Sequence, residues 1–204
     1  MQKASLLRML TIRSATVLLL AAAMFSVPAQ ATTLIRASVD DLVKANETVM
    51  IGEVVDVHSY WNSDSSFILT DVMIRPTQVL KGTIRKGGMI TLTQMGGTVG
   101  DLTTLILGGP ELSIGQSYVL FLNQENLPGA EGVTTIRDHC QGVFNIEMTQ
   151  NGEVRAISQA NSLTLAPNAK GNTDVPGGLE GFTLDQLTEK VLAVSRLQNE
   201  TEEK

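Results

Sequence analysis

The chain has 204 residues, of which 43% are hydrophobic, 18% are charged and 4% are aromatic, and its formal net charge is −6. That length fits one globular domain with short appendages, and the apolar fraction excludes a wholly disordered chain. Two histidines and one cysteine exclude zinc fingers, iron–sulfur clusters and a disulfide-rich scaffold, because each of these needs more ligands or thiols. The excess of acidic residues argues against a partner made of nucleic acid.

Residues 1–31 have the pattern of a secretory signal peptide. A basic start is followed by an apolar run of 11 residues, 15–25, and then by the small-residue cleavage motif Ala29-Gln30-Ala31. As a helix, that run would cross only about half of a ~30 Å hydrocarbon core, which is too short for a transmembrane anchor. We therefore predict cleavage after Ala31 and export to the periplasm or the extracellular space, with no membrane anchor after cleavage.

Cleavage makes the product more acidic. Residues 1–31 contain three basic residues and no acidic residue, so 12 basic and 21 acidic side chains remain, with a net charge of −9. Such a charge disfavours binding to nucleic acid and to anionic lipid.

The exported chain is predicted to begin with a short helix. Ser38 and Asp41 have the spacing of a capping box, in which each side chain accepts a hydrogen bond from the other residue's backbone N–H. Val39, Leu42 and Val43 share one side of the helix that follows, and we expect that side to pack on the core.

From Thr48 onward the apolar residues recur at every second position, which is the period of a β-strand. Two long strands are predicted first, with a bulge at Gly52 and a polar hairpin tip at residues 60–65. The shorter strands predicted after them are residues 89–95, 102–107, 118–123, 133–137, 142–148 and 153–157, the last two joined by an Asn151-Gly152 turn. This pattern predicts a mostly β domain, a small barrel or sandwich, over residues 32–158.

The residues predicted to form the core of this domain are mostly aliphatic and come from five of the predicted strands. They are Val49, Ile51, Val55, Val57, Leu69, Ile90, Leu92, Leu120, Leu122 and Phe144.

Two further segments follow the β domain. Residues 159–181 are rich in asparagine, proline and glycine, which predicts an extended linker or arm. Residues 182–204 are predicted to be an amphipathic helix with a polar tail, opened by a second capping box at Thr183 and Gln186. Its apolar stripe consists of Leu184, Leu187, Val191 and Val194. We expect the stripe to dock on the β domain because an isolated helix of this length is marginal in water; binding to a partner is the alternative.

Few residues of the sequence suit acid–base or nucleophilic chemistry. His139 and Cys140 are adjacent, but neighbouring residues of a strand point to opposite faces, so the imidazole is not expected to activate the thiol. A buried free thiol is the simpler interpretation of Cys140, and a disulfide between two chains is the alternative. No spacing of ligand residues matches a metal site, and the glycine clusters lack the lysine of a phosphate loop. The sequence thus predicts no catalytic residue, no cofactor and no metal.

The order of the elements and three short sequences resemble a known family. The sequences are TVMIGEVVDV at residues 48–57, VLKG at residues 79–82 and IGQSYVLFL at residues 114–122. This combination resembles the netrin-like domain of tissue inhibitors of metalloproteinases, and bacterial secreted relatives of uncharacterised function. The resemblance covers residues 34–148 and implies a small OB-like, netrin-like β-barrel of five strands with flanking helices.

The sequence departs from that family at the residues that carry its inhibitory mechanism. The inhibitors begin their mature chain with a cysteine whose amine and carbonyl bind the zinc of the protease, and disulfides hold that segment in place. Here the predicted mature chain begins with Thr32-Thr33-Leu34, and Cys140 is the only cysteine.

Together these features predict an exported, non-catalytic binding module that presents barrel loops or a barrel face to a protein or glycan. The candidate partner-binding residues are Thr32, Thr33 and Leu34 at the mature N-terminus and Tyr60 and Trp61 at the predicted hairpin tip. Three alternatives remain open: a protease inhibitor that uses its N-terminal segment, an enzyme with an unrecognised site, and a structural or assembly role. We expect the mature chain to be a monomer.

Overall fold

A computed structural model of the protein describes residues 34–85, 87–137, 139–167, 177–178 and 180–202. The predicted signal peptide and its cleavage site after Ala31 lie outside the described residues. Within those residues the chain is mostly β-structure, with a short helix near the start and a long helix at the end. None of the described helices is long and apolar enough to cross a membrane.

Helix α1 spans Val39–Ala45 and begins at the predicted capping box. The Ser38 hydroxyl accepts a hydrogen bond from the Asp41 N–H at 3.2 Å, and the Asp41 carboxylate accepts one from the Ser38 N–H, also at 3.2 Å. The apolar side of α1 is buried, as predicted.

Ten strands follow, and then helix α2. The strands are β1 (Thr48–Trp61), β2 (Ile68–Lys81), β3 (Ile90–Met95), β4 (Gly97–Val99), β5 (Leu102–Thr104), β6 (Ser117–Leu127), β7 (Ala130–Ile136), β8 (Val143–Met148), β9 (Val154–Ser158) and β10 (Phe182–Thr183). Helix α2 spans Leu184–Glu202. The predicted hairpin at Asn151-Gly152 is confirmed, because β8 pairs with β9 in antiparallel register.

Eight of the strands form one antiparallel sheet. Seven follow the order β10-β9-β8-β6-β1-β2-β3, β7 pairs with β6, and β4 and β5 form a separate hairpin. Strands β3 and β7 lie against each other, but no hydrogen-bonded ladder joins them in the described chain, so the sheet is not closed into a barrel. The predicted small barrel is therefore corrected to an open eight-stranded sheet. The chain leaves β3 at Gly96 and Gly97, whose positive φ angles turn it into the β4–β5 hairpin.

A bulge in β1 determines which of its valines face the core. The register between β1 and β2 shifts between Val54 and Asp56. Val55 is the unpaired residue, so the alternation of the two faces is interrupted there. Val54 is fully buried, and Val57 is partly buried against the same apolar cluster. The prediction of Val55 as a core residue is wrong, because Val55 is only partly buried and packs in none of the apolar clusters of the described chain. Val57 and, on β3, Ile90 are partly buried against the core, and the other predicted core residues are buried.

The two faces of the sheet carry separate apolar clusters. The inner cluster is formed by β1, β2, β3, β6, β7 and β8 and includes Met50, Leu92 and Leu120. The outer cluster lies between the sheet and the two helices and includes Phe144 together with Leu187 of α2. The predicted docking of the C-terminal helix is confirmed, since its apolar stripe packs in this outer cluster.

Lys81, the last residue of β2, connects the two helices. Its Nζ donates hydrogen bonds to the backbone oxygens of Val43 at 2.6 Å and Asn46 at 2.7 Å, and to Gln198 Oε1 of α2 at 3.0 Å. The C-terminal carbonyls of a helix carry partial negative charge, so an ammonium group at the end of α1 is stabilising.

The segment predicted to be a linker, residues 159–181, begins as part of the folded domain. Residues Gln159–Ser162 form a 3-10 turn, and Ala160 and Leu165 are buried in a small cluster with Cys140. Residues 168–176 and 179 lie outside the described part. The domain therefore extends beyond the predicted boundary at residue 158, because the first residues of the segment bury apolar side chains.

Candidate binding site

The predicted binding segment at the mature N-terminus is partly integrated into the fold. Thr32 and Thr33 lie outside the described residues. Leu34 packs in the small cluster that contains Cys140, and its carbonyl accepts a hydrogen bond from the Ala166 N–H at 2.9 Å. Leu34 is therefore held in place and is not part of a free arm.

Gln141 holds the residues that follow Leu34. Its Oε1 accepts a hydrogen bond from the Ala37 N–H at 2.8 Å, and its Nε2 donates to the Ile35 carbonyl at 2.9 Å. One carboxamide therefore satisfies an N–H and a C=O of an extended chain, as a neighbouring strand would. Both bonds compensate for the burial of this polar side chain.

Tyr60 and Trp61 are the last two residues of β1, so the hairpin tip begins after them, contrary to the prediction. The Tyr60 hydroxyl donates to Asp71 Oδ1 at 3.1 Å, and the Thr93 hydroxyl donates to the same oxygen at 2.7 Å. Burial, and then the nearby Asp71 carboxylate, raise the pKa of Tyr60. Neighbouring residues of a strand point to opposite faces, so Trp61 and Tyr60 do not form one aromatic surface.

His139 and Cys140 lie in a 3-10 turn, His139–Gly142, so the alternation of strand faces, from which their separation was argued, does not apply to them. Cys140 is 3% exposed, and its N–H donates to the Gly108 carbonyl at 3.1 Å. Burial raises the pKa of the Cys140 thiol, which therefore stays protonated and is a poor nucleophile at neutral pH. Among the described residues, no three His, Cys, Asp or Glu side chains are grouped closely enough to hold a metal ion.

Three leucines near β5 are strongly exposed. Leu105 and Leu107 are 78% and 83% exposed, and Leu102 is 60% exposed. All three belong to residues 102–111, which we call the leucine loop. A strand was expected over residues 102–107, but β5 ends before Leu105, so the two following leucines have no sheet face to cover.

A groove of about 630 Å³ runs beside the leucine loop. This volume is within the range of about 300–1,000 Å³ that is usual for ligand sites. We call it the amide groove, because four carboxamide side chains line it. They are Gln94 near the end of β3, Asn145 of β8, and Gln159 and Asn161 of the 3-10 turn Gln159–Ser162. Glu111 is the only charged residue among the described residues that line it.

The carboxamides of the amide groove differ in their hydrogen bonding. Gln159 Oε1 accepts from the Glu111 N–H at 2.9 Å, and Gln159 Nε2 donates to the Glu111 carbonyl at 2.7 Å and to Asn145 Oδ1 at 2.8 Å. By contrast, Gln94 Oε1 and Asn161 Oδ1 are buried and accept no hydrogen bond. Each such unpaired buried acceptor costs about 1–3 kcal/mol of stability.

A second groove of about 430 Å³ lies between β3 and β7. Leu34 and His139 line it, and an ion pair between Arg137 and Glu125, 3.6 Å apart, lies beside it. The two grooves are adjacent, since Gln94, Met95 and Ile106 line both. Among the described members of the predicted partner-binding set, Leu34 is the one that lines either of these two grooves.

Sequence reasoning missed the residues of the amide groove. They come from β3, β8 and the 3-10 turn, which are far apart in sequence, and no spacing connects them. The one available signal was the run of apolar residues directly before Gly108-Gly109-Pro110, where a strand cannot continue. No protein-family model matches the chain, and a comparison with curated proteins finds no significant match.

Proposed function

We propose that this protein is an exported, non-catalytic module that binds a protein or glycan partner through the leucine loop and the amide groove. The observation that carries the proposal is the strong exposure of Leu102, Leu105 and Leu107 on one loop beside a groove. Exposed apolar patches on soluble proteins commonly mark interaction sites, because burying them against a partner removes apolar surface from water.

The way the leucine loop is attached supports this proposal. The Gly108 carbonyl accepts a hydrogen bond from the Cys140 N–H, and Gln159 binds both backbone groups of Glu111. These contacts hold the loop after Leu107, and the pairing of β5 with β4 holds it before Leu105. A preorganised loop loses less conformational entropy on binding, which favours affinity.

The state of the chemically reactive side chains supports a module without catalytic activity. The Cys140 thiol is buried and its pKa is raised, which disfavours the thiolate that a nucleophile requires. His139, the adjacent imidazole, lines the second groove, whereas Cys140 lines the amide groove.

We further propose that the domain is related to the OB-like barrel of netrin-like domains. In support, the strands follow the cyclic order β1-β2-β3-β7-β6, in which only the contact between β3 and β7 lacks hydrogen bonds. OB-folds are five-stranded, partly open barrels, so an unpaired contact at this position is compatible with that family.

The binding proposal is tested by affinity capture. The mature chain is immobilised and exposed to the periplasmic or culture fraction of the source cells, in parallel with a Leu105→Asp/Leu107→Asp double variant. Leu197→Asp is the matched control, because Leu197 is 64% exposed on α2 and does not line either groove. We expect a partner that the mature chain and the control retain and the double variant loses.

Two outcomes would contradict the proposal. Equal capture by the double variant would show that the leucine loop is not the binding surface. Absence of any retained protein or glycan would argue against a binding module.

A further inference from the structure

Strand β1 has a neighbouring strand on both sides only in its first half. β2 pairs with it along almost its whole length, whereas β6 pairs with it only over residues 48–53. On the β6 side, Val54 makes the last backbone contacts: its N–H donates to the Gln116 carbonyl at 2.9 Å, and its carbonyl accepts from the Gly115 N–H at 2.8 Å. Residues 57–61, which we call the β1 edge, lie beyond these contacts.

The hydrogen-bonding pattern shows which backbone groups point outward at the β1 edge. The Asn62 N–H donates to the Phe67 carbonyl at 2.9 Å, where the ladder between β1 and β2 reaches the hairpin tip. Hydrogen-bonded and non-hydrogen-bonded pairs alternate along an antiparallel ladder, so the N–H and C=O groups of Val57, Ser59 and Trp61 point away from β2. Within the described chain, no backbone hydrogen bond to these groups is present on that side.

The β1 edge also lacks the features that usually protect an open edge. None of its residues is buried, and His58 and Trp61 are exposed. Proteins protect open edges with proline, lysine, bulges or a covering element. β2 extends beyond β3 at residues 75–81, and there it carries Pro76 and two register shifts against β1. The β1 edge contains no proline, lysine or glycine, and its register with β2 is continuous, so a further strand can be added to it.

The charges near the β1 edge distinguish between the strands that could be added. Exposed carboxylates flank it, Asp56 before it and Asp64 in the hairpin tip after it, and residues 56–66 contain no lysine or arginine. If two copies paired antiparallel about Ser59, the Asp56 side chain of each would lie near the tip of the other, which carries Asp64. Like charges facing each other disfavour such a dimer, whereas a strand with basic residues is attracted.

We propose that the β1 edge binds an extended segment of a protein partner as an additional strand, one that carries basic residues near its ends. The backbone of the segment pairs with the free N–H and C=O groups of Val57, Ser59 and Trp61. Glycans and lipids have no backbone with this spacing of donors and acceptors. No residue of the β1 edge lines either groove, so this surface is separate from the leucine loop and is tested independently of the proposed function.

Amide hydrogen exchange followed by NMR tests the β1 edge without any ligand. We expect the N–H groups of Val57, Ser59 and Trp61 to exchange faster than those of His58 and Tyr60 in the mature chain, because only the latter two donate to β2. Protection of all five amides would show that the edge is already covered and would overturn the inference.

The ligand test selects binders from random peptides displayed on phage, with the immobilised mature chain as the target. We expect the selected peptides to be enriched in Lys, Arg and residues that favour strands, and expect the best synthetic peptide to slow the exchange of the three free amides. Only every second residue of an added strand bonds to the edge. N-methylation of one alternating set of peptide amides should therefore abolish binding, and N-methylation of the other set should leave it.

Ser59→Pro and Ser59→Ala form a matched pair of variants. Both remove the hydroxyl that lies 2.8 Å from the Thr70 hydroxyl, but only proline removes the free N–H and places its ring at the edge. Ser59→Pro should weaken peptide binding about tenfold or more, measured by calorimetry, and Ser59→Ala should bind like the unmodified chain. If Ser59→Pro also lowers the unfolding midpoint, the N-methylated peptides decide, because they leave the protein unchanged.

Other results overturn the inference in distinguishable ways. Equal binding by the two Ser59 variants, or binding that neither set of N-methyl groups affects, would exclude strand addition. Loss of peptide binding in the Leu105→Asp/Leu107→Asp variant would place the peptide on the leucine loop instead. A dimer of the mature chain that Ser59→Pro abolishes would replace the partner by a second copy. If no peptide slows the exchange of the three amides, the inference is wrong, and the leucine loop is still judged by its own capture assay.

Discussion

Cys140 is the only thiol of the chain, and its surroundings determine what it can do. It is buried beside Ala160 and Leu165, and its backbone N–H holds the leucine loop through Gly108. This backbone bond does not depend on the side chain, so the identity of the side chain affects stability more than binding.

We expect Cys140→Ser to retain partner binding and to lose about 1–2 kcal/mol in the free energy of unfolding, because a hydroxyl is costlier to bury than a thiol. Urea denaturation and the capture assay measure the two quantities. Lost binding at unchanged stability would instead assign the thiol a direct role, and a dimer that dissociates on reduction would indicate a bridge between chains.

The raised pKa of Cys140 also predicts a pH dependence. Below the ordinary pKa of a thiol, both the folded and the unfolded chains are protonated, so the full stability is present. At higher pH the unfolded chain loses the proton first, so stability falls as pH rises. From about pH 7 to about pH 10, unfolding of the unmodified chain should show this loss, and Cys140→Ser should lack this component of it.

Lys81 is a second residue whose effect can be measured. Lys81→Met removes the hydrogen bonds to Val43, Asn46 and Gln198, and we expect a loss of about 1–3 kcal/mol because buried carbonyls at the end of α1 lose a charged donor. Lys190→Met is the control, since Lys190 forms an exposed ion pair with Asp40 at 2.8 Å. Equal denaturation midpoints for the two variants would contradict the role of Lys81.

Helix α2 stabilises the fold by covering one face of the sheet. Its apolar stripe covers the outer face of the sheet, where Phe144 and Val119 are fully buried. Leu197 of the same helix is 64% exposed, which makes it an internal comparison for the buried leucine.

We expect Leu187→Ala to lower the free energy of unfolding by about 2–5 kcal/mol, because it leaves a cavity between helix and sheet. Leu197→Ala on the same helix should change it by less than about 0.5 kcal/mol. Denaturant unfolding followed by far-UV circular dichroism measures both.

Deletion of residues 182–204 should lower the unfolding midpoint and retain the β signal in the far-UV spectrum. An unchanged midpoint would contradict docking of α2.

The whole molecule combines an acidic charge with a folded domain that begins soon after the predicted cleavage site. We expect N-terminal sequencing of the exported product to begin at Thr32, because Ala29-Gln30-Ala31 is the motif that signal peptidases cut. A product that begins at Met1, or one retained in the membrane fraction, would contradict export by this route.

Features that depend on residues close in sequence were predicted well. The capping box of α2 is confirmed, with Thr183 Oγ1 accepting from the Gln186 N–H and Gln186 Oε1 accepting from the Thr183 N–H, both at 3.1 Å. The same holds for the capping box of α1 and for the turn at Asn151-Gly152. Each needs only a few neighbouring residues, so its energy is set locally.

Predictions that required a strand to keep strict alternation failed at defined places. The bulge after Val54 moved Val55 out of the core, and β5 ended before Leu105. The preference of single residues for strand structure does not predict where a bulge forms. The position of a bulge depends on how two paired strands also fit against their other neighbours in the sheet.

From its residues alone the chain could be recognised as mostly β, with a capped helix at each end of the domain. Export stays a prediction, because the predicted signal peptide lies outside the described residues. The open contact between β3 and β7 and the amide groove depended on the tertiary structure. Gln94 and Asn161 line one groove only because β3, the leucine loop and the 3-10 turn Gln159–Ser162 pack together. Such long-range packing is set by the burial of apolar surface across the whole domain, which no local pattern specifies.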